Sequence, residues 1–371
     1  MIKKTHFNIL AALGMILLSC QTRNEQTKTL SKTAEGDRSV KLPDSLSSRR
    51  VSFVLNLRDT VAEKHWSDFN KNKVEGALVY FNGNKSEIFF PSSNVLRSLG
   101  GYKTFSDDYV LADRTDSIPF HFELMVSFTE ADSTKFYFEH PVEQFLSVEE
   151  TGNYIESVQS TEMWSAMVIH EMFHHFQYNT PAFLEYAKNT IGPLPYDIRN
   201  LTQLCQENED FLESIRVENE YLLKAIAQDD NAARLPFLKK YLQERKLRIS
   251  SYGENNPHLE QVENYYIIQE GSARYIEYKS MLALQDLAHL PNPPQIFNDP
   301  KFKKFSEFAE MNLSDEAFNY LTYAGPSTYH YALGFNTMRL LDILGVDYKD
   351  DLLDNPEKPL HSYLEDYLSK S

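Results

Sequence analysis

The stretch Val168-Ile169-His170-Glu171-Met172-Phe173-His174-His175-Phe176-Gln177 concentrates the side chains best able to do chemistry. On a helix, His170 and His174 stand one turn apart and project from the same face. Two imidazoles at that spacing can reach one metal ion, and Zn²⁺ takes such nitrogen ligands at about 2.0–2.1 Å. Glu171 follows one step round the helix, beside the ion rather than on it. A general base stands there when it takes a proton from a zinc-bound water. His175 points about 100° away from His174, which suits a supporting or core role better than ligation. Met163, Trp164, Ala166, Met167, Val168 and Ile169 are apolar nearly all round, so a buried helix is expected over 160–178.

Two imidazoles do not complete a catalytic zinc site, which usually has three protein ligands and a water. A metzincin pattern would need Gly at 177 and His at 180, whereas the chain has Gln177 and Thr180. The third ligand must therefore come from another element. The segment 262–278 reads as one helix despite Gly271. A mid-helix Gly costs about 1 kcal/mol relative to Ala and usually lets another backbone come close. If Gly271 packs against the motif helix, Glu270 points at His170 and His174. Glu277, on the same face two turns on, is a rival ligand or a group that orients a ligating His from behind.

The elements that must hold these residues divide by pattern. Residues 51–155 are expected to supply a small mixed sheet. Within it, Gly76–Phe81, Asn82-Gly83-Asn84 and Glu87–Phe90 read as a hairpin. A second hairpin is expected, with 120–128 as one arm, 130–133 as the turn and 135–139 as the other arm. Its alternating Phe120, Phe122, Leu124, Val126 and Phe128 form one apolar row. Val51–Leu55 is strand-like or the start of a helix, and 60–73 is helical. His121 and His140 read as surface histidines. From 156 to 371 the chain is helical, with amphipathic helices at 206–228 and 235–249 inside an insertion spanning about 180–260. Further helices are expected at 327–344, capped by Gly345, and at about 359–369. The fold class is α+β: a small N-terminal mixed sheet followed by a mainly helical region.

A net charge of −16 argues against nucleic acid as a partner and against electrostatic binding to anionic lipid. Lys3 and Lys4 precede an apolar run from Ile9 to Leu18, too short for a comfortable membrane span. The run ends in Leu17-Leu18-Ser19-Cys20 and resembles a bacterial lipoprotein signal. That resemblance implies removal of residues 1–19, lipidation of Cys20 and anchorage outside the cytoplasm, with an outer-membrane destination because no Asp follows Cys20. Residues 20–50 are polar and read as a disordered tether. With Cys20 lipidated, Cys205 has no disulfide partner and is a structural thiol.

Glu270-Gly271-Ser272-Ala273-Arg274-Tyr275 resembles the E-G-x-x-x-Y signature of gluzincin metallopeptidases, as in M1-type aminopeptidases and the glycyl-aminopeptidase-like family. The resemblance implies a zincin-like catalytic region, one zinc per chain held by His170, His174 and Glu270, and Glu171 as the base. Tyr331-Ala332-Leu333-Gly334 resembles the M1-type Y-x-x-G, whose Tyr stabilises the oxyanion; Tyr323, Tyr329 and His330 are rivals for that task. The chain departs from most gluzincins in placing Glu270 96 positions after His174, and it has no G-x-M-E-N exopeptidase element. As a whole it is similar to uncharacterised lipoproteins of Bacteroidetes-type bacteria held to be zinc-dependent peptidases. The expected function is hydrolysis of peptide or protein substrates outside the cytoplasm. The alternative is a non-catalytic envelope lipoprotein whose degenerate or structural zinc site serves binding or assembly.

Overall fold

The computed structural model describes residues 41–70, 76–313 and 318–370. The leader, Cys20 and most of the expected tether lie outside the described residues. The tether's last residues, Leu46–Arg50, are helical: they open a helix that runs Leu46–His65 and absorbs the strand-like Val51–Leu55. No helix of the described residues is long and apolar enough to cross a membrane.

The chain packs as two compact units. Among the described residues, one comprises those up to Leu55, those from 76 to Glu171 and Gln295–Lys303; the other comprises Asn56–Asn70, Met172–Pro294 and the described residues from Lys304.

The first unit is built on a mixed sheet of six strands: β1 Ala77–Asn82, β2 Lys85–Phe89, β3 Tyr102–Ser106, β4 Tyr109–Asp113, β5 Phe122–Met125 and β6 Val142–Leu146. Their spatial order is β3-β4-β2-β1-β6-β5. The β1–β2 hairpin turns as expected at Gly83, whose φ of +58° favours a residue without Cβ. β1 pairs in parallel with β6, so it is central and buried on both faces. Ala77, Val79 and Phe81 join Ile88, Val110, Val142 and Leu146 in an apolar cluster on one face. On the other face, Tyr80 and Phe145 meet Trp164 of the motif helix edge-on, at 5.6 and 6.1 Å between ring centroids.

The second hairpin differs from expectation. β5 pairs antiparallel with β6, with Leu124 opposite Glu143, and residues 130–132 form a single 3₁₀ turn. The segment 135–139 is not a strand; it touches the other arm only through a bridge between Ser127 and Phe138. An alternating apolar row identifies a strand but not its partner. Here the fully buried β6 offered more contact than the expected arm, which is exposed at both ends, Lys135 and Glu139. His121 is not on the surface. It is buried, stacked on Phe81 with centroids 4.5 Å apart and held between Glu123 and Asp116. His140 is exposed.

A buried arginine ties this unit together. Arg50 donates to Asp299 and Glu149 from both sides of its fork and to the Tyr80 hydroxyl at 3.0 Å. Asp299 also accepts from Thr161, at the start of the motif helix.

The second unit is helical. Three helices, Ile198–Glu207, Glu209–Ile226 and Asn231–Gly253, occupy the stretch where a pair was expected. The long helix Leu259–Ala288 and the helix Tyr329–Leu344, closed by Gly345 at φ +67°, form its centre. The helix Ser362–Lys370 ends the chain. Arg245 and Arg248 of one helix meet Glu218 and Glu263 of two others in a fully buried set of ion pairs at 2.6–2.7 Å. Each charge there has an opposite partner, which buried charges require.

Candidate metal centre

The motif helix, Thr161–Asn179, carries His170 and His174 one turn apart. Glu270 of the helix Leu259–Ala288 joins them: one ligand-capable atom from each of the three lies within 4.8 Å of the others. His170 and His174 are buried and the Glu270 side chain is 16 % exposed, so the group is shielded but not sealed. Glu277 and His175 are outside this group. Glu277 accepts from Arg274, and His175 is buried beside the motif.

Gln177, which the metzincin comparison marked only as the wrong residue, sets the tautomer of His174. Its amide nitrogen donates to the Gln269 carbonyl at 2.9 Å and to Ser272 Oγ at 2.7 Å. A carbonyl can only accept, so the amide cannot be flipped without setting two oxygens face to face. Gln177 Oε1 must then accept, and it lies 2.8 Å from His174 Nδ1. The His174 proton is thereby held on Nδ1. In the neutral ring Nε2 then carries the lone pair, and it faces Glu270 Oε2 at 3.4 Å. Two acceptors opposed at that distance repel unless a positive charge, a proton or a metal ion, lies between them. Imidazole nitrogen and carboxylate, with Gln177 hydrogen-bonded behind the His174 ring, are a donor set that fits the ion the motif implies. The signal for Gln177 was present in the sequence, since i and i+3 share a helix face.

Gly271 does not pack against the motif helix. It meets Gly334 of the helix Tyr329–Leu344: a Cβ on Gly271 would lie 2.5 Å from Gly334 Cα, and one on Gly334 would lie 2.3 Å from the Ile267 carbonyl oxygen. The long helix reaches the motif helix through Gln177 instead. A side chain of that length spans a wider gap than two glycines leave, so one helix accommodates a close neighbour and a distant one on different faces. The Gly of E-G-x-x-x-Y and the Gly of Y-x-x-G are thus the two halves of one crossing. Tyr275 serves elsewhere, donating to Asp342 and accepting from Lys349 at 3.0 Å.

Glu171 is half-buried, and its Oε2 accepts the main-chain N–H of Leu124 at 3.1 Å. Leu124 belongs to β5, the edge strand, so this N–H points away from the sheet. Among the oxyanion candidates, Tyr329 spends its hydroxyl on Glu263 at 3.1 Å, and Tyr323 is 60 % exposed beneath Arg216. Tyr331 is half-buried, with the His330 ring 4.6 Å away. His330 is buried, neither ring nitrogen has a hydrogen-bond partner, and burial pushes its pKa down to about 4, so it is neutral at pH 7.

Compared with protein-family models, with curated proteins and with solved structures, the chain matched nothing.

Proposed function

We propose that the chain is a zinc-dependent peptidase of gluzincin type, with a zincin-like catalytic region, acting outside the cytoplasm from a lipid anchor at Cys20. The observation that carries this reading is the Gln177–His174–Glu270 arrangement, which holds a ring nitrogen and a carboxylate ready for a cation with His170 beside them. His170, His174 and Glu270 would hold one Zn²⁺, which when bound supplies a Lewis acid and lowers the pKa of a bound water.

Glu171 is the base. Its carboxylate, steadied by the Leu124 N–H, takes the proton of the attacking water and passes it to the leaving amine. The outer edge of β5 would align an extended peptide next to Glu171 by main-chain hydrogen bonds. Tyr331 or the neutral His330 would donate to the oxyanion.

The test is to load purified protein with zinc, measure metal by mass spectrometry, and assay a peptide library. Glu171→Gln should retain about one zinc per chain and lose nearly all hydrolysis; turnover that survives this change would sink the assignment. Glu270→Ala should lose or greatly weaken zinc binding. Zinc bound by a wild-type protein that cleaves no peptide would favour a binding lipoprotein instead.

A further inference from the structure

One cation lies on the same face of the long helix as Glu270. Arg274 is one turn further on. Its guanidinium packs against Tyr331 and Tyr320, 5.3 and 5.4 Å from their ring centroids, and Nη1 donates to Glu277. Nε, although buried, has no hydrogen-bond partner. The fork therefore has donors to spare beyond the Nη1 bond, out of the five N–H groups a guanidinium carries. The two rings fix the fork's plane before any ligand arrives, which lowers the cost of ordering it. The side chain is 23 % exposed, close to the 16 % of Glu270, and Tyr331 and Tyr320 are half-buried, so solvent reaches this patch. In a chain of net charge −16, a rigid guanidinium beside a metal ligand locally offsets the repulsion of an anion.

Resting on the peptidase reading above, we infer that Arg274 anchors a carboxylate of the substrate. An axial rise of about 6 Å separates i from i+4 on a helix. An extended peptide advances about 3.3 Å per residue. The carboxylate recognised is therefore within about two residues of the bond cut. It is either the free C-terminus of a short peptide or an acidic side chain next to the scissile bond. Planar, two-pronged recognition of a carboxylate is the task for which a guanidinium is better shaped than an ammonium.

The experiment uses the full chain carrying Glu171→Gln and loaded with zinc, so that binding is read without turnover. Calorimetry compares one tetrapeptide as its C-terminal acid and as its amide, and a second amidated pair with Asp or Asn next to the central bond. The expected result is at least tenfold tighter binding of one carboxylate form over its neutral twin. Adding Arg274→Met abolishes that preference, and Arg274→Lys keeps only part of it. Glu277→Gln, which frees the fork, maintains or increases it. Preference within the first pair identifies the C-terminus, and within the second an acidic side chain.

The inference is overturned if no peptide binds, if the preference is missing, if it survives Arg274→Met, or if Glu277→Gln abolishes it too. That last result would make the Arg274–Glu277 pair a structural clasp. Failure of the peptidase reading looks different: protein with Glu171 intact would cleave none of these peptides while the Arg274-dependent preference remained.

Discussion

Gln177 joins the two helices that carry the candidate ligands, and its effect is transmitted through one proton. With Oε1 accepting from His174 Nδ1, the neutral ring presents its lone pair at Nε2. Gln177→Leu keeps the approximate volume but removes that acceptor, so the ring is free to rotate and to shift its proton. Losing a partner of this kind weakens metal binding about 10–100-fold, which competition against a chelating dye would read. Unchanged zinc affinity in this variant would mean that His174 needs no partner. The change also takes the Gln177 donor from the buried Ser272 Oγ and removes one of the donors to the Gln269 carbonyl, costing about 1–3 kcal/mol of stability in a denaturant titration. Cys205 behaves as its reading as a structural thiol requires. It is buried, and burial pushes its pKa up to about 12, so the folded protein should resist thiol alkylation until it is unfolded.

Between helices, the close contact of Gly271 with Gly334 sets where Glu270 and Tyr331 stand. Neither position has room for a methyl group, and the atoms in the way are backbone, which cannot swing aside. Gly334→Ala would force the helices apart at the crossing. It should cost about 1–3 kcal/mol or more by urea unfolding, despite alanine's better helix propensity. Because Glu270 adjoins Gly271, zinc affinity should fall in the same variant. A stabilised Gly334→Ala protein would show that the helices can separate without loss. Gly271 was legible as a point of close approach, but its partner was not. The expected partner was the motif helix, because nothing local to Gly271 says which neighbour uses the space.

At the scale of the molecule, the Arg50–Asp299 pair joins positions 249 apart in the chain. Burial by itself would raise the Asp299 carboxyl, but hydrogen bonds from Arg50 and Thr161 outweigh it and hold the group below its usual range. Glu149 is held down by Arg50 in the same way against its own burial. A carboxyl whose folded pKa is depressed stabilises the fold above its unfolded value, near 4, and loses that contribution as pH falls through the folded value. Arg50→Met strands a fully buried Asp299, which should cost about 3–5 kcal/mol at pH 7. The gap between wild type and variant should then narrow as pH is lowered from about 4 towards 2, measured by urea unfolding at each pH. A gap independent of pH would mean that the ion pair is not what Arg50 contributes.

What the amino-acid sequence determined alone were features that repeat over a few residues. The i, i+4 histidines with Glu171 between them, the Asn82-Gly83-Asn84 turn, the helix that carries Glu270 and the stop at Gly345 each depend on neighbours within a turn or two. The α+β division and the grouping of His170, His174 and Glu270 were reached from those features together with the motif resemblance. Tertiary structure alone decided that β5 lies against β6, that His121 is buried, and that Gly271 faces Gly334. It also decided that Gln177 reaches the Gln269 carbonyl and that Tyr275 turns to Asp342. These depend on contacts between residues tens of positions apart or more. Local periodicity reveals which face of an element is buried, whereas the partner is selected by competition among all the faces the chain brings together.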